Sequence, residues 1–319
     1  MNQPMRQRPL SIGPLRAFEA VARLLSFRAA AEELSLTQSA ISRQIQALEE
    51  EIGCTLFLRG TRKVELSGDG AQLLPTAVAV LSRLDQTVRQ IRRSRGRSVV
   101  NVTTFASFAS LWLIPRLCQF QKHFPDIDIR VSALDRIADL DDGEHDLALR
   151  YASAGELGMP AELMFEETVS PVISPWYAES TQSGRLPPLR RPPDLAAHAL
   201  TEEDDPRPSA TYLSWRRWLT AQGQPELEPL RWMYFNFTYQ QIQAALAGQG
   251  VALARLPMVR EQLQSGELVE PFGKAGRLGS PFSYWLITGS NAARRPEVKQ
   301  FADWVREQAA LTRDQLAGV

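Results

Sequence analysis

Past Thr37 the chain sets groups able to hydrogen-bond DNA base edges along one face of a short helical pattern. Ile41, Ile45 and Leu48 recur at i, i+4 and i+7 and share an apolar face. Ser39, Arg43 and Gln46 project from the opposite face, with Ser42 at its edge. Hydroxyl, guanidinium and amide groups on the second helix of a compact module match the donors and acceptors shown in a major groove. An ordinary solvated helix face has the same composition, so the flanking pieces decide between the two.

Those pieces favour a winged helix-turn-helix over residues 26–70. A first helix is expected from Pro14 or Leu15 to Leu25, with Leu15, Phe18, Val21, Ala22 and Leu25 as its apolar stripe. Ser26 stands where it can cap a second helix carrying Ala29, Ala30, Ala31 and Leu34, whose small side chains allow close approach. Thr37 occupies the cap position of the next helix. After Gly53, the runs Thr55–Arg59 and Lys63–Leu66 flank Gly60-Thr61-Arg62 and read as a hairpin with Arg59, Arg62 and Lys63 near its tip. Basic tips on such a wing reach phosphates or a minor groove.

Composition agrees once the chain is divided. Its 36 basic and 36 acidic residues cancel overall. Residues 1–97 hold 15 basic and 9 acidic residues, a net of +6; residues 98–319 hold 21 and 27, a net of −6. A positive module would be steered onto phosphates while an acidic remainder avoids them. The cysteines, Cys54 and Cys118, fall in different expected domains, and the histidines His123, His145 and His198 do not cluster, so neither a disulfide framework nor a metal site is expected. No signal-peptide run and no stretch of about 18 apolar residues is found. The expectation is a cytoplasmic protein with no cofactor, no metal and no membrane partner.

Residues 71–95 read as one long helix. Leu74, Leu81 and Val88 are seven apart, and Ala77, Leu84 and Ile91 follow at the same period, filling a and d positions of nearly three heptads. Such a seam either pairs with a second copy or packs on its own domain. Pairing would place two reading helices on one face of DNA. Arg92, Arg93, Arg95, Gly96 and Arg97 then form a basic hinge.

From residue 98 strands and helices alternate. Strands are expected at Ser98–Thr104, Ile127–Leu134, Asp146–Tyr151, Val169–Ile173, Val251–Ala254 and Phe282–Thr288. Helices are expected at Leu111–His123, Tyr212–Gln222, Tyr239–Ala247 and Pro296–Leu316. This alternation signals an α/β domain with mostly parallel strands, which binds ligands at strand carboxyl ends and helix N-termini. Thr103 and Thr104 end the first strand, and Ser107 and Ser110 lie near the start of the next helix. Free N–H groups and hydroxyls there suit a carboxylate or another anion, or serve plain N-capping. Arg150 and Tyr151 end another strand; Arg150 either neutralises an acid or pairs within the scaffold. Trp215 and Trp218, three apart on one helix, read as core.

Nearly the whole chain resembles the LysR-type transcriptional regulators. The resemblance rests on Ala30-Ala31-Glu32-Glu33-Leu34, Gln38, Ile41-Ser42-Arg43-Gln44-Ile45, Leu48-Glu49, Gly53, Leu56-Phe57, Arg59 and Leu66-Ser67. Further marks are Gly143 with Asp146-Leu147-Ala148-Leu149-Arg150, and the run Ala244–Leu253. The run Phe105–Leu117 is similar to the branch holding glycine-cleavage activators and β-lactamase regulators. Arg28 departs from the small hydroxyl residue usual there, with Ala29 following where Arg is common, and Phe237 replaces a polar residue in a loop of that branch.

The resemblance implies a multidomain fold. Residues 1–70 form the winged helix-turn-helix DNA-binding domain, and 71–97 the linker, dimerising through Leu74, Ala77, Leu81, Leu84, Val88 and Ile91. Residues 98–319 form an α/β effector-binding domain resembling type 2 periplasmic binding proteins, with lobe 1 at about 98–166 and 281–319 and lobe 2 at about 167–280. It further implies double-stranded DNA carrying an interrupted palindrome, a small-molecule effector, a dimer of dimers that bends its operator, and RNA polymerase as partners. Gln38, Ser39, Ser42 and Arg43 would face the major groove, Arg43 gripping guanine and Gln38 adenine, with Gln44 nearer the edge. Ser26 and Thr37 complete that set at the helix starts, and Arg28, Arg59, Arg62 and Lys63 would hold backbone or minor groove. Phe235, Asn236 and Thr238 would supply effector contacts from the second lobe, facing Thr103, Thr104, Ser107, Ser110, Arg150 and Tyr151. The effector would favour one lobe closure, changing the angle between dimers and the DNA bend. Two rival classes are a ligand-independent architectural DNA-binding protein and an enzyme with a DNA-binding appendage. The second lacks any nucleophile elbow, phosphate loop or metal cluster in the sequence.

Overall fold

The computed structural model describes residues 10–59, 64–93, 97–134, 140, 144–157, 160–204, 212–290 and 294–317. The chain divides into two compact units, Met1–Arg95 and Gly96–Val319.

The first unit holds α1 (Ile12–Leu24), α2 (Phe27–Glu33), α3 (Gln38–Ile52), an antiparallel pair β1 (Phe57–Arg59) and β2 (Val64–Leu66), and the long α4 (Gly68–Arg93). Local chemistry sets the boundaries. Ser26 Oγ accepts from the Ala29 N–H at 3.1 Å and Thr37 Oγ1 from the Ala40 N–H at 3.2 Å, capping α2 and α3. Gly53, at φ 82°, ends α3 in the left-handed conformation that glycine adopts without strain. Ala17, Phe18 and Val21 of α1 pack with Ala30 and Ala31 of α2, Ile41, Ile45 and Leu48 of α3, and Phe57 of β1. A Cβ at Gly70 would lie 2.2 Å from the Leu56 carbonyl oxygen, so the wing crosses α4 at a contact that only glycine admits. We expect Gly70→Ala to cost ~1–3 kcal/mol by forcing that contact apart. A calorimetric scan would then show the transition of the first unit shifted down, whereas an unmoved transition would mean the wing slides freely.

The heptad seam of α4 turns partly inward. Ala77 belongs to the core of the first unit, Leu74 packs against it, and Leu81 one turn on is also buried. Arg16 of α1 grips Asp85 of α4 through both guanidinium nitrogens. Of the two readings of the seam, packing on its own domain holds for Ala77, which lies in that core. Leu84 and Val88 are half-buried, and the side chain of Ile91 lies outside the described residues. Among the described side chains of this helix, Val78 and Val80 are exposed, off the heptad positions.

The second unit is built on a sheet ordered β4-β3-β5-β10-β6-β9-β7-β8. In the first lobe, β3 (Ser98–Thr104) pairs parallel with β4 (Ile127–Ala133) and β5 (Leu147–Ala152). In the second, β7 (Ala199–Glu203) pairs parallel with β8 (Arg231–Phe235) and β9 (Val251–Arg255). Two eleven-residue strands, β6 (Glu162–Val172) and β10 (Leu278–Thr288), run antiparallel to each other and carry the chain between the lobes. Their register breaks between Gly279 and Ser283, opposite Thr168 and Glu166. The sheet is therefore mixed rather than mostly parallel, because each crossing strand enters a lobe against the direction of its neighbours.

After β3, α5 (Ala106–Phe108), a π-helical turn (Ala109–Leu113) and α6 (Ile114–His123) run on as one helix. Pro115 has no N–H and its ring collides with the carbonyl one turn back, which the wider π turn relieves. The second lobe contributes α7 (Pro175–Gln182), α8 (Trp215–Ala221), α9 (Thr238–Leu246) and α10 (Arg260–Ser265), and α11 (Pro296–Ala317) closes the chain on the first lobe. Trp215 and Trp218 are fully buried in the second-lobe core, as their spacing predicts.

Candidate functional site

The exposed row on α3 consists of Gln38, Ser39, Arg43 and Gln46, with Ser42 half-buried beside them. Beneath it Ile41, Ile45 and Leu48 are buried, so the helix is held rigidly by its other face. Arg43 Nε reaches the Ser39 carbonyl at 3.4 Å, and the Ser39 and Thr37 hydroxyls lie 3.1 Å apart. Ser26 and Thr37 spend their hydroxyls on capping. Gln44 is half-buried with Nε2 facing Gly13 of α1, away from the exposed row. Arg28 pairs with Glu32 at 3.1 Å; both are solvated, and such a pair is worth little and yields readily to a phosphate. Arg62, Lys63 and the side chain of Arg59 lie outside the described residues. Glu49 Oε1 accepts from the Leu56 N–H at 2.7 Å and so ties α3 to the strand that follows.

The residues expected in the second unit fall into three groups. Thr103 and Arg150 find each other in the interior: Arg150 Nη2 donates to Thr103 Oγ1 at 2.8 Å and Nη1 to the Leu149 carbonyl at 3.0 Å, so Arg150 pairs within the scaffold. Ser107, Thr238 and Tyr151 sit where the lobes meet. The Tyr239 N–H donates to Ser107 Oγ at 3.3 Å, Thr238 Oγ1 donates to Glu203 at 2.8 Å, and the Tyr151 hydroxyl lies 3.1 Å from Ser280 Oγ. Ser110 and Asn236 are exposed, Phe235 is half-buried, and the fully buried Thr104 hydroxyl has no hydrogen-bond partner among the described residues. Phe237 stacks on Tyr239 with ring centroids 5.6 Å apart.

The strongest electrostatics at this meeting of lobes belong to residues that sequence reasoning missed. Arg255 ends β9 and is 4% exposed. Its guanidinium lies over the rings of Tyr151 at 4.6 Å and Phe105 at 5.7 Å, and Nη2 stands 3.8 Å from Glu203. Burial opposes its charge, but the Tyr284 and Tyr151 hydroxyls and the Glu203 and Glu167 carboxyls outweigh that and raise its pKa. Glu167, 1% exposed, accepts a short hydrogen bond from the Tyr284 hydroxyl. Burial pushes its carboxyl up to about 7, against the pull of Arg255. One signal was available: Arg255 directly follows the apolar run Val251–Ala254, placing a charge at the carboxyl end of a strand.

The raised pKa of Glu167 has a measurable consequence. Its folded pKa exceeds the unfolded value, so its contribution to stability is complete below the ordinary glutamate range and is lost as pH rises through about 7. Glu167→Gln removes that loss. Its melting temperature is expected to gain on the parent between pH 5 and pH 8, by up to ~3 kcal/mol of stability at the higher pH. Parallel melting curves against pH for parent and variant would show that Glu167 does not titrate there.

Comparison with known proteins follows this architecture. The family description "LysR substrate binding domain" matches residues 93–310, and "Bacterial regulatory helix-turn-helix protein, lysR family" matches residues 12–71. The chain belongs to the LysR family. It is 32% identical over 310 residues to the glycine cleavage system transcriptional activator of Escherichia coli (strain K12), covering 97% of each chain. It is 33% identical over 303 residues to the transcriptional activator AmpR of Pseudomonas aeruginosa, covering 95% of this chain and 97% of that one. The effector domain of that AmpR superposes with a TM-score of 0.53 at 30% identity, covering 69% of this chain and all of the other. Vibrio fischeri DarR, solved in complex with DNA, shares the fold with a TM-score of 0.67 at 19% identity over 94% of this chain. This LysR-family chain is a DNA-binding transcriptional regulator with an effector-binding domain, and not an enzyme. Among the described residues no group of His, Cys, Asp and Glu is arranged to hold a metal, and no helix is long and apolar enough to cross a membrane.

Proposed function

We propose that residues 1–70 of this regulator read an interrupted palindrome through α3, that residues 71–97 link, and that residues 98–319 bind a small, carboxylate-bearing effector between two lobes joined near residues 166 and 281. Gln38, Ser39, Ser42 and Arg43 read base edges, and Arg28, Arg59, Arg62 and Lys63 hold phosphates or the minor groove. The protein works in the cytoplasm as a dimer of dimers in contact with RNA polymerase. Effector binding favours one lobe closure and changes the bend of the operator.

The observation that carries this reading is the capped, core-anchored α3 with Gln38, Ser39 and Arg43 exposed in one row. Charge also gives the helix a direction. Its amino half carries Arg43, whereas its last turns carry Glu49, Glu50 and Glu51, which phosphates repel. The amino half therefore enters the groove, as in helix-turn-helix complexes generally. Selection of bound fragments from random DNA by the full chain tests the reading. We expect enrichment of two inverted half-sites; an unenriched pool would leave a protein that binds DNA without reading it. With the ligand-independent reading as the alternative, operator affinity that responds to no small molecule would favour architecture over regulation.

A further inference from the structure

Arg255 and Glu167 present buried charge that the protein itself leaves incompletely satisfied. Arg255 Nε and Nη1, and Glu167 Oε1, have essentially no solvent contact and no hydrogen-bond partner among the described residues. Buried guanidinium and carboxyl groups are costly without partners, and native structures rarely leave several in one place. The two lie close: Arg255 pairs across the strands with Val169, and Glu167 is two residues along β6 on the same face. They also sit at the seam. Arg255 comes from the second lobe, the Tyr151 and Phe105 rings it covers come from the first, and Glu167 lies beside the register break where the strands cross.

Resting on the effector reading above, we propose that the effector is a dipolar molecule, an α-amino acid or a compound ending in one. Its carboxylate takes the open Nη1 donor of Arg255, the Nε donor lying on the opposite edge of the guanidinium, and its ammonium donates to the open oxygen of Glu167. Charge balance separates this ligand from a plain anion. The charged groups acting on Arg255 are the carboxyls of Glu203 and Glu167. A simple carboxylate would add negative charge to a buried site that is already neutral or negative. An amino acid adds none, and it supplies a donor for the acceptor and acceptors for the donors. The Tyr151 and Phe105 rings fix the plane of the guanidinium, so its open donors point in set directions. When the ammonium approaches, Glu167 is held ionised, so binding is expected to release a proton near pH 7.

Titration of the full chain at pH 7 with three matched panels tests the proposal: the standard amino acids, the same molecules without the amine, and the same molecules without the carboxylate. At least one amino acid is expected to raise the melting temperature, with both of its truncated analogues binding about 100-fold weaker. Arg255→Lys and Glu167→Gln should each weaken that amino acid at least about tenfold while melting cooperatively without ligand. A carboxylic acid that binds as tightly as its amino acid overturns the dipolar ligand and leaves the effector site standing. So does a metabolite of another class that binds when no amino acid does. Unchanged affinity in both variants overturns the placement at Arg255 and Glu167. An amino acid that binds as expected yet leaves operator affinity and bending unaltered upholds the ligand and overturns the regulatory reading instead.

Discussion

Arg43→Ala is expected to weaken operator binding by ~1–3 kcal/mol and to relax base preference at one position of each half-site. The guanidinium is exposed on the amino half of α3. Its one described hydrogen bond, from Nε to the Ser39 carbonyl at 3.4 Å, is long and releases easily on contact with a guanine edge. The two-pronged pairing with guanine O6 and N7 that an arginine makes cannot be replaced by water. Arg28→Ala should behave differently. Arg28 already spends its Nε on Glu32, and its expected target is phosphate, so loss should be smaller, uniform across sequences and accompanied by a shallower salt dependence. Competition titrations of both variants against single-base operator variants at two salt concentrations distinguish the two. Equal and sequence-independent losses would remove Arg43 from the reading set.

Trp112→Ala should cost ~3–5 kcal/mol in the second unit. Trp112 is fully buried in the π-helical turn, stacked on Phe108 at 4.8 Å and tilted against Phe165 at 5.7 Å. Its indole N–H donates to Thr312 at 3.0 Å, fastening this helix to α11, and Arg116 covers its ring at 5.0 Å. Removing the ring leaves a cavity and strands the Arg116 stem. The first turn of the same helix carries Ser107, which meets the Tyr239 N–H across the lobes, so the loss should reach the effector site as well. We expect the melting transition of the second unit to fall sharply while that of the first stays in place, since Trp112 lies in the core of the second unit. A coincident fall of both transitions would show the units to unfold as one.

How far the sequence speaks depends on how local the controlling interaction is. Ser26 and Thr37 were legible as caps because a cap acts within three residues, and Ile41, Ile45 and Leu48 because helical period alone places them inward. The seam of α4 showed period but not partner: Ala77 fits a heptad equally well facing α1 or a second copy. β6 was legible only over Val169–Ile173. Its first half, through Glu162, Glu166 and Glu167, reads as a polar loop until pairing with β10 is known. β7 and β8 were missed for the same reason, being short strands paired parallel to each other, with β7 also paired to β9, so that distant segments are joined. Arg150 and Thr103 were both singled out, yet only the fold shows that they satisfy each other, and only the fold brings Arg255 of β9 beside Glu167 of β6 and the rings of Tyr151 and Phe105.

Paired copies of α3 are expected to enter adjacent major grooves. Methylation protection on the DNA upstream of its own coding region tests this most directly, because guanine N7 lies in the major groove. Two protected blocks are expected on one face of the duplex, about one helical turn or a multiple apart, each fading in Arg43→Ala. Guanines that stay reactive under saturating protein, or protection that Arg43→Ala leaves intact, would contradict it.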